Sequence, residues 1–440
     1  MKRKIALIMP AANKYKYRGN IFSYPLSCTL PVLYSLIPNE LGITCDIYDE
    51  CIEIIDLDII NVDLVGISGI TSTINRTYEI AKILKKKGIY TVIGGVHASL
   101  YPEEAKRYCD TIITGLAFNT WPKFLHDFYL GIPKDCYFQS VEINLDNIKH
   151  PDYNCYFKKN RIYLQNFVNA TFGCNNYCSF CIQPLINRGH FKRPINDVIK
   201  EIKELKLKYF DFIDPNITQD KNYLKKLCKE LIPLKKKWKA PMTIDIANDD
   251  SLLKLLKKSG CISILIGFES INQETLKSIN KNNNITFSYK NIINKIHKYK
   301  ISIVGSFVLG FDNDNELIFK NTLKIINLYK IDIPRFTIIT PYIGTKLYKE
   351  YLNENRIIDF NYDNYDADHV VFNPKNMTKE ELINGYLFLW KKSYTIFNIV
   401  KKLILYPTFG INEFITSIFL RKEYYKLIQK NRKLKILESK

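Results

Sequence analysis

The chain has 440 residues, 46% of them hydrophobic, which is too long for one ordinary domain and ample for two or three packing units that each bury a core. Lys and Arg number 64 against 44 Asp and Glu, a net +20 that would suit an acidic partner, but the lysines are spread over helix faces such as 200–208 and 221–239 and read as solvated surface. A basic start, Met1 to Lys4, is followed only by Ile5 to Met9 before Pro10, which is too short for an export signal. No run of about 18 uncharged apolar residues occurs to span a bilayer. Eleven cysteines in such a chain indicate a reducing, cytoplasmic setting in which thiols pack as small hydrophobes or bind metal.

In chain order, short apolar runs alternate with amphipathic stretches. Strands are expected at Ile5 to Met9, Cys45 to Tyr48, Leu64 to Ser68, Tyr90 to Gly94 and Thr111 to Gly115, with helices at Ile74 to Lys87 and Pro102 to Tyr108. That alternation predicts a doubly wound parallel sheet over 1–135, whose ligands would lie beyond the carboxyl ends of the strands. Small residues stand there: Ser68 and Gly69, then Gly94, Gly95, Val96 and His97, then Gly115. Residues 136–160 lose the pattern and read as a linker. A second alternation fills 161–358, with strands expected at Ile162 to Val168, Tyr209 to Ile213, Met242 to Ile246, Ile262 to Ile266, Ile301 to Leu309 and Phe336 to Ile339. Six strand–helix units predict a parallel barrel left open on one side, with its chemistry at the carboxyl ends of the strands. Residues 359–440 are aromatic and basic, with helical spacing at Tyr394, Phe397, Ile399, Val400, Leu403 and Ile404. This helical extension is expected to pack on the barrel, as a lid for example, in preference to lying on a membrane surface.

Cys174, Cys178 and Cys181 place three thiols in eight residues, a spacing that chance would produce with an expectation of ~0.007 in a chain of this composition. A structural zinc site wants four ligands, and His190 is the only further candidate close in sequence. Three thiolates can instead hold three irons of a [4Fe–4S] cluster and leave the fourth open for substrate. Cys-x3-Cys-x2-Cys with Phe180 before the last cysteine resembles the signature loop of the radical S-adenosylmethionine superfamily. Leu265-Ile266-Gly267-Phe268-Glu269-Ser270, Phe212 to Asn216, Gly305 to Phe311 and Thr340 to Thr345 resemble its later strand motifs. Asp368 to Phe372 and Met377 to Leu382 resemble a C-terminal extension of the subgroup with an N-terminal cobalamin-binding domain.

The resemblance implies a Rossmann-like sheet of the cobalamin-binding type, then an open (β/α)6 partial TIM barrel and a helical extension. It implies three cofactors: a [4Fe–4S] cluster on Cys174, Cys178 and Cys181; S-adenosylmethionine held by Glu269, Asp214, Asn216 and the Phe180 backbone; and cobalamin in the crevice of Ser68, Gly69, Gly94, Gly95 and His97. The activity it implies is methylation of an unactivated carbon of a small or lipid-like molecule by way of a 5′-deoxyadenosyl radical. The alternatives are a cyclase or oxidase with the same cofactors, or a non-catalytic cobalamin-binding or sensing protein. Implied partners are the small-molecule substrate and an electron donor such as flavodoxin or ferredoxin, with no nucleic acid.

Two positions depart from the subgroup: Pro215 stands where a second acidic residue is frequent, and Leu116-Ala117-Phe118 follows Gly115 where Gly-Glu is usual. The motif Asp-x-His-x-x-Gly, whose His would ligate cobalt, is absent after the first strand, where the chain reads Ala11-Ala12-Asn13-Lys14-Tyr15. No Ser-His-Asp set or Walker-type phosphate loop is visible, and His126, His150 and His297 read as structural.

Overall fold

A computed structural model describes residues 3–12, 28–140, 143–157, 166–281, 284 and 288–438. The front unit is a six-stranded, all-parallel sheet: β1 (Lys4–Met9), β2 (Thr44–Asp49), β3 (Leu64–Ser68), β4 (Tyr90–Gly94), β5 (Thr111–Thr114) and β6 (Cys136–Phe138), in the order β2-β1-β3-β4-β5-β6. The chain reverses its direction of travel across the sheet between β1 and β3, which opens a crevice at their carboxyl ends. All five residues of β3 are buried, the mark of a central strand covered on both faces. The helix Ile74–Lys86 turns Ile74, Thr77, Tyr78, Ala81 and Leu84 inward at helical spacing and carries Lys85 and Lys86 in its last turn, where cations complement the helix dipole. β6 lies inside the stretch read as a linker. It is short and directly follows Pro133, Lys134 and Asp135, so no apolar run marks it.

The second unit is also a six-stranded parallel sheet in sequence order: β7 (Phe167–Val168), β10 (Tyr209–Phe212), β11 (Lys237–Met242), β12 (Cys261–Glu269), β13 (Ser302–Leu309) and β14 (Ile333–Ile338). The start of the first expected barrel strand falls in 158–165, outside the described residues. Between β7 and β10 an antiparallel hairpin, β8 (Thr171–Gly173) and β9 (His190–Lys192), closes the root of the cysteine loop by pairing Gly173 with His190. Gly173 has φ +80, and a Cβ there would run into the Gly189 carbonyl, so this root needs glycine. β11 begins five residues before its expected place. It alternates Trp238, Ala240 and Met242 inward with exposed or half-exposed residues between, and the apolar run that follows coils into a 3-10 turn, Ile244–Asn248.

The C-terminal extension joins both units. Tyr362 packs its ring against His97 at 4.9 Å and donates to Glu104 at 3.3 Å, both in the front unit. Further on, Tyr394 and Leu420 cluster with Ile333 on the barrel, and Lys402 Nζ donates to the Asp332 carbonyl at 2.9 Å. Asp332 immediately precedes β14, so helices 396–405 and 411–438 dock at the amino-terminal base of the barrel and form no lid over its carboxyl face. Among the described residues no helix is long and apolar enough to cross a membrane.

Candidate active site

The three cysteines sit on the loop between β8 and β9. All three are half-buried, and Cys181 N–H donates to the Cys178 carbonyl at 3.0 Å in a tight turn. The loop is anchored on both flanks: Ser179 N–H donates to the Ile279 carbonyl at 3.1 Å, and Leu347 N–H donates to the Ser179 carbonyl at 3.0 Å. The Phe180 ring meets Phe311 edge-on at 5.9 Å, which tucks this face of the loop against the end of β13. Burial pushes the Cys178 thiol up and the Cys181 thiol up to about 11, so both hold their protons until a metal displaces them.

Three thiols on one short loop are the donor set that a [4Fe–4S] cluster takes, one thiolate at each of three corners. Among the described residues no three His, Cys, Asp or Glu side chains converge closely enough to hold one metal ion. His190 belongs to β9, and its Nε2 is buried without a partner.

Around the loop stand the other expected residues. Asn216 places its amide Nδ2 3.9 Å from Cys174 Sγ and donates to Gln219 Oε1 at 3.3 Å, while Gln219 Oε1 also accepts from the Asn175 N–H at 3.3 Å. Asn216 and Gln219 therefore orient the first thiol, and Gln219 carried no signal in the sequence reading. Asp214 is fully buried at the end of β10. Its oxygens accept from Ala170 N–H at 3.2 Å, from Thr171 N–H, and from Thr171 Oγ1 at 2.7 Å. Burial pushes this carboxyl up to about 6 even against those bonds. Asp214 thus ties the root of the hairpin to the end of β10.

Glu269 ends β12 in the left-handed region, at φ +60, an uncommon place for a residue with a Cβ and one associated with functional sites. A bulge against β13 permits it, and Asn284 Nδ2 locks it by donating to the carbonyls of Gly267 at 2.9 Å and Phe268 at 3.1 Å. The carboxylate is buried and pairs with Lys281 Nζ at 3.0 Å. Burial works against the Lys281 charge, but Glu269 and then Cys178 outweigh it and hold the ammonium above its usual range. Lys281 was missed because it opens the run Lys281-Asn282-Asn283-Asn284, which reads as a solvated turn.

Between the two units lies a cavity of ≈ 580 Å³ whose walls come from both sheets at their carboxyl ends. From the front sheet come Met9 and Pro10 at the end of β1, Ser68 at the end of β3, Gly94 and Gly95 at the end of β4, and Leu116 to Phe118 after β5. From the barrel come Asn169, Phe172, Gly173, Ile186, Ile213 and Pro215. Both positions that depart from the subgroup, Pro215 and Leu116–Phe118, are therefore wall residues. Gly173 adjoins Cys174, so the cavity reaches the root of the cysteine loop. Two further expected residues, Gly69 and His97, are off this wall. His97 is wholly buried beneath it, with Nδ1 3.4 Å from Thr71 Oγ1 and Nε2 3.5 Å from Glu104, and burial lowers its pKa so that it is neutral. A Cβ on Gly95 would come within 2.6 Å of the Gly69 carbonyl, so these glycines serve the close packing of the two strand ends. Asn13, Lys14 and Tyr15, where a cobalt-ligating motif would begin, lie outside the described residues.

Residues 168–326 match the family model of the radical SAM superfamily, and residues 40–124 match that of the B12 binding domain. Bacteriochlorophyllide d C-12(1)-methyltransferase of Chlorobaculum tepidum is 31% identical over 353 residues, 78% of this chain and 76% of that protein. The chain belongs to the B12-binding subgroup of the radical S-adenosylmethionine superfamily. Bacteriochlorophyllide d C-8(2)-methyltransferase of the same organism is 30% identical over 84% of this radical SAM chain and 87% of that protein. The fold is also that of the cobalamin-dependent S-adenosylmethionine radical enzyme OxsB, solved with aqua-cobalamin and S-adenosylmethionine bound. The likeness has a TM-score of 0.66 and 13% identity, over 98% of this chain and 71% of that one. The cofactors that go with these two domains are a [4Fe–4S] cluster with S-adenosylmethionine, and cobalamin.

Proposed function

We propose that this radical SAM enzyme methylates an unactivated carbon of an apolar small molecule. One observation carries the reading: a single cavity spans from the carboxyl ends of the front sheet to the root of the cysteine loop, so a substrate there would face both cofactor sites at once. Cys174, Cys178 and Cys181 would hold the cluster, with Asn216 and Gln219 orienting Cys174. Glu269 would take the ribose hydroxyls of S-adenosylmethionine, because a carboxylate can accept from two vicinal donors. Ser68, Gly94 and Gly95 would border cobalamin, with the apolar side chains of Leu116 and Phe118 beside it. When bound, the cluster and S-adenosylmethionine supply a 5′-deoxyadenosyl radical and cobalamin supplies the methyl group. The chain's own part is to position, and to exclude water: Phe118 and Phe172 meet edge-on at 5.0 Å from opposite units, and Ile186 and Ile213 add apolar wall.

Those walls suit a substrate with a large apolar face, and the two bacteriochlorophyllide methyltransferases make a planar tetrapyrrole the first class to try. The test is anaerobic turnover of the reconstituted enzyme with cobalamin, flavodoxin or ferredoxin as reductant, and S-adenosylmethionine bearing a deuterated methyl group. The expected result is 5′-deoxyadenosine together with labelled methyl in the product. 5′-Deoxyadenosine with an unlabelled, ring-closed or oxidised product would replace methylation by the cyclase or oxidase reading. No 5′-deoxyadenosine under any condition would overturn both.

A further inference from the structure

We propose that the helical hairpin of residues 396–425, at the base of the barrel, is an in-plane anchor that seats the enzyme on an anionic lipid surface. Helix Ile396–Leu405 buries Ile399 and the Lys402 stem on the barrel side, where the Lys402 ammonium lies among the rings of Tyr394, Tyr406 and Phe409. Its opposite side is also apolar. At ~100° per residue, Leu403, Ile396, Val400, Ile404 and Phe397 fall on one outward arc of roughly 120°. Phe397 is 75% exposed and Ile404 74%. A surface helix of a soluble protein carries polar residues there. Helix Ile411–Glu438 repeats the inversion: Ile411, Ile415 and Ile418, at i, i+4 and i+7, are exposed, while Glu413, Ser417 and Leu420 on the other side are buried. The two helices pack together through Ile399, Tyr406, Phe409 and Phe414, so the exposed stripes belong to one rigid element. Exposed apolar stripes on two helices of one packed element mark an interaction surface.

Charge decides what covers it. Lys391, Lys392, Lys401 and Lys422 are exposed around the patch, and the only acidic residue between 382 and 422 is Glu413. That carboxylate is buried and engaged, accepting from Ser302 Oγ at 2.9 Å and Gly410 N–H at 3.0 Å. Over residues 382–425 the exposed charges are therefore these four lysines, and the one further carboxylate, Glu423, is half-buried and engaged. A second copy of the chain would bring a like-charged rim against it, whereas an apolar face with a lysine rim matches an anionic bilayer interface. No described helix can cross a bilayer, so contact would be in the interface plane. Asp332 and Ser302, which hold the hairpin, stand at the amino ends of β14 and β13, so the anchor lies at the far end of the barrel from the cavity and leaves it open.

The experiment is co-sedimentation of the full chain with phosphatidylcholine vesicles that either contain or lack about one third phosphatidylglycerol. Binding is expected on the anionic vesicles, weakened as salt rises from ~0.1 M to ~1 M and the screening length shrinks from ~10 to ~3 Å. Phe397→Gln/Ile404→Gln should weaken it about a hundredfold and Lys401→Gln/Lys422→Gln about tenfold, with unchanged circular dichroism. If the first double variant does not fold, Ile411→Gln/Ile415→Gln reads the same face. Equal binding by wild type and the apolar variants, or no preference for anionic vesicles, would overturn the proposal. So would a dimer in lipid-free ultracentrifugation that the Phe397 variant dissolves, or capture of an acidic protein without lipid binding.

Discussion

The Glu269–Lys281 pair offers the sharpest test of how this site is built. Its atoms are 3.0 Å apart and the side chains only 10% and 15% exposed. At an effective dielectric of about 20 their attraction is ~5 kcal/mol, much of it offset by desolvation. Removing one partner leaves the other charge buried and unpaired, which costs about 3–5 kcal/mol. Glu269→Gln and Lys281→Met should therefore each destabilise the protein by ~3 kcal/mol, whereas the double variant, with no charge left bare, should lose only about 1–2 kcal/mol. The cycle would then return a coupling of several kcal/mol. Urea unfolding under anaerobic, reducing conditions measures it. Because Lys281 has its pKa raised, its contribution is complete below about pH 10 and fades only as pH rises through the higher folded value, so the coupling should be flat from pH 6 to pH 8. Equilibrium dialysis of the cluster-loaded enzyme with S-adenosylmethionine separates structure from function: the double variant should regain stability without regaining affinity, since it still lacks the Glu269 carboxylate. Additive single effects, within roughly 0.5 kcal/mol, would refute the electrostatic argument. Wild-type affinity in the double variant would refute the assignment of Glu269 to the cofactor.

Other expectations follow from the same geometry. Asp214 has its pKa raised to about 6, so its ionisation costs stability as pH rises from about 4 through 6, by up to ~3 kcal/mol; the stability of Asp214→Asn relative to wild type should accordingly improve across that window in denaturant titrations. Cys181→Ala should abolish the iron–sulfur absorption of reconstituted protein while leaving its far-ultraviolet circular dichroism unchanged. Gly95→Ala, at φ +96 and against the Gly69 carbonyl, should destabilise the front unit by about 2–4 kcal/mol in thermal unfolding. His97 has its pKa lowered by burial, so the stability it lends is present above about pH 6.5 and lost as pH falls through the lower folded value; hydrogen exchange of residues 361–365 should rise with acidification in wild type and much less in His97→Phe.

Much of the architecture was legible because burial writes a plain signal. β3 and β5 are continuous apolar runs because helices cover both faces of a parallel sheet. β11 carries a weak signal because its Lys237-Trp238-Lys239-Ala240-Pro241-Met242 alternates, whereas the apolar run lies in the 3-10 turn that follows. At the site, the cysteines stand out in the sequence because their spacing is improbable by chance, and Glu269 because its strand-end motif is long; the contacts that Asp214, Lys281 and Gln219 make carry no such signal. A carboxylate satisfied by backbone N–H groups and one aimed at a ligand look alike in sequence, and the partners of Lys281 and Gln219 are set by strand-end geometry across 12 and 45 residues respectively.

The seam between the two units shows why both sheets must be fixed before any chemistry. Gln139, just past β6, accepts from Leu116 N–H at 2.5 Å and donates to the Asn187 carbonyl at 2.9 Å, bridging the front sheet to the loop that bears the cysteines. Phe118 against Phe172 and Tyr362 against His97 add two further ties on other elements. Three separate ties resist hinge motion far better than one, because each must break before the cavity walls can part. A reaction that needs a radical source and a methyl source at one carbon loses steeply with ångström errors in their separation. The buried, polar-satisfied contacts along this seam are therefore part of the positioning apparatus, although none of them touches a reacting atom.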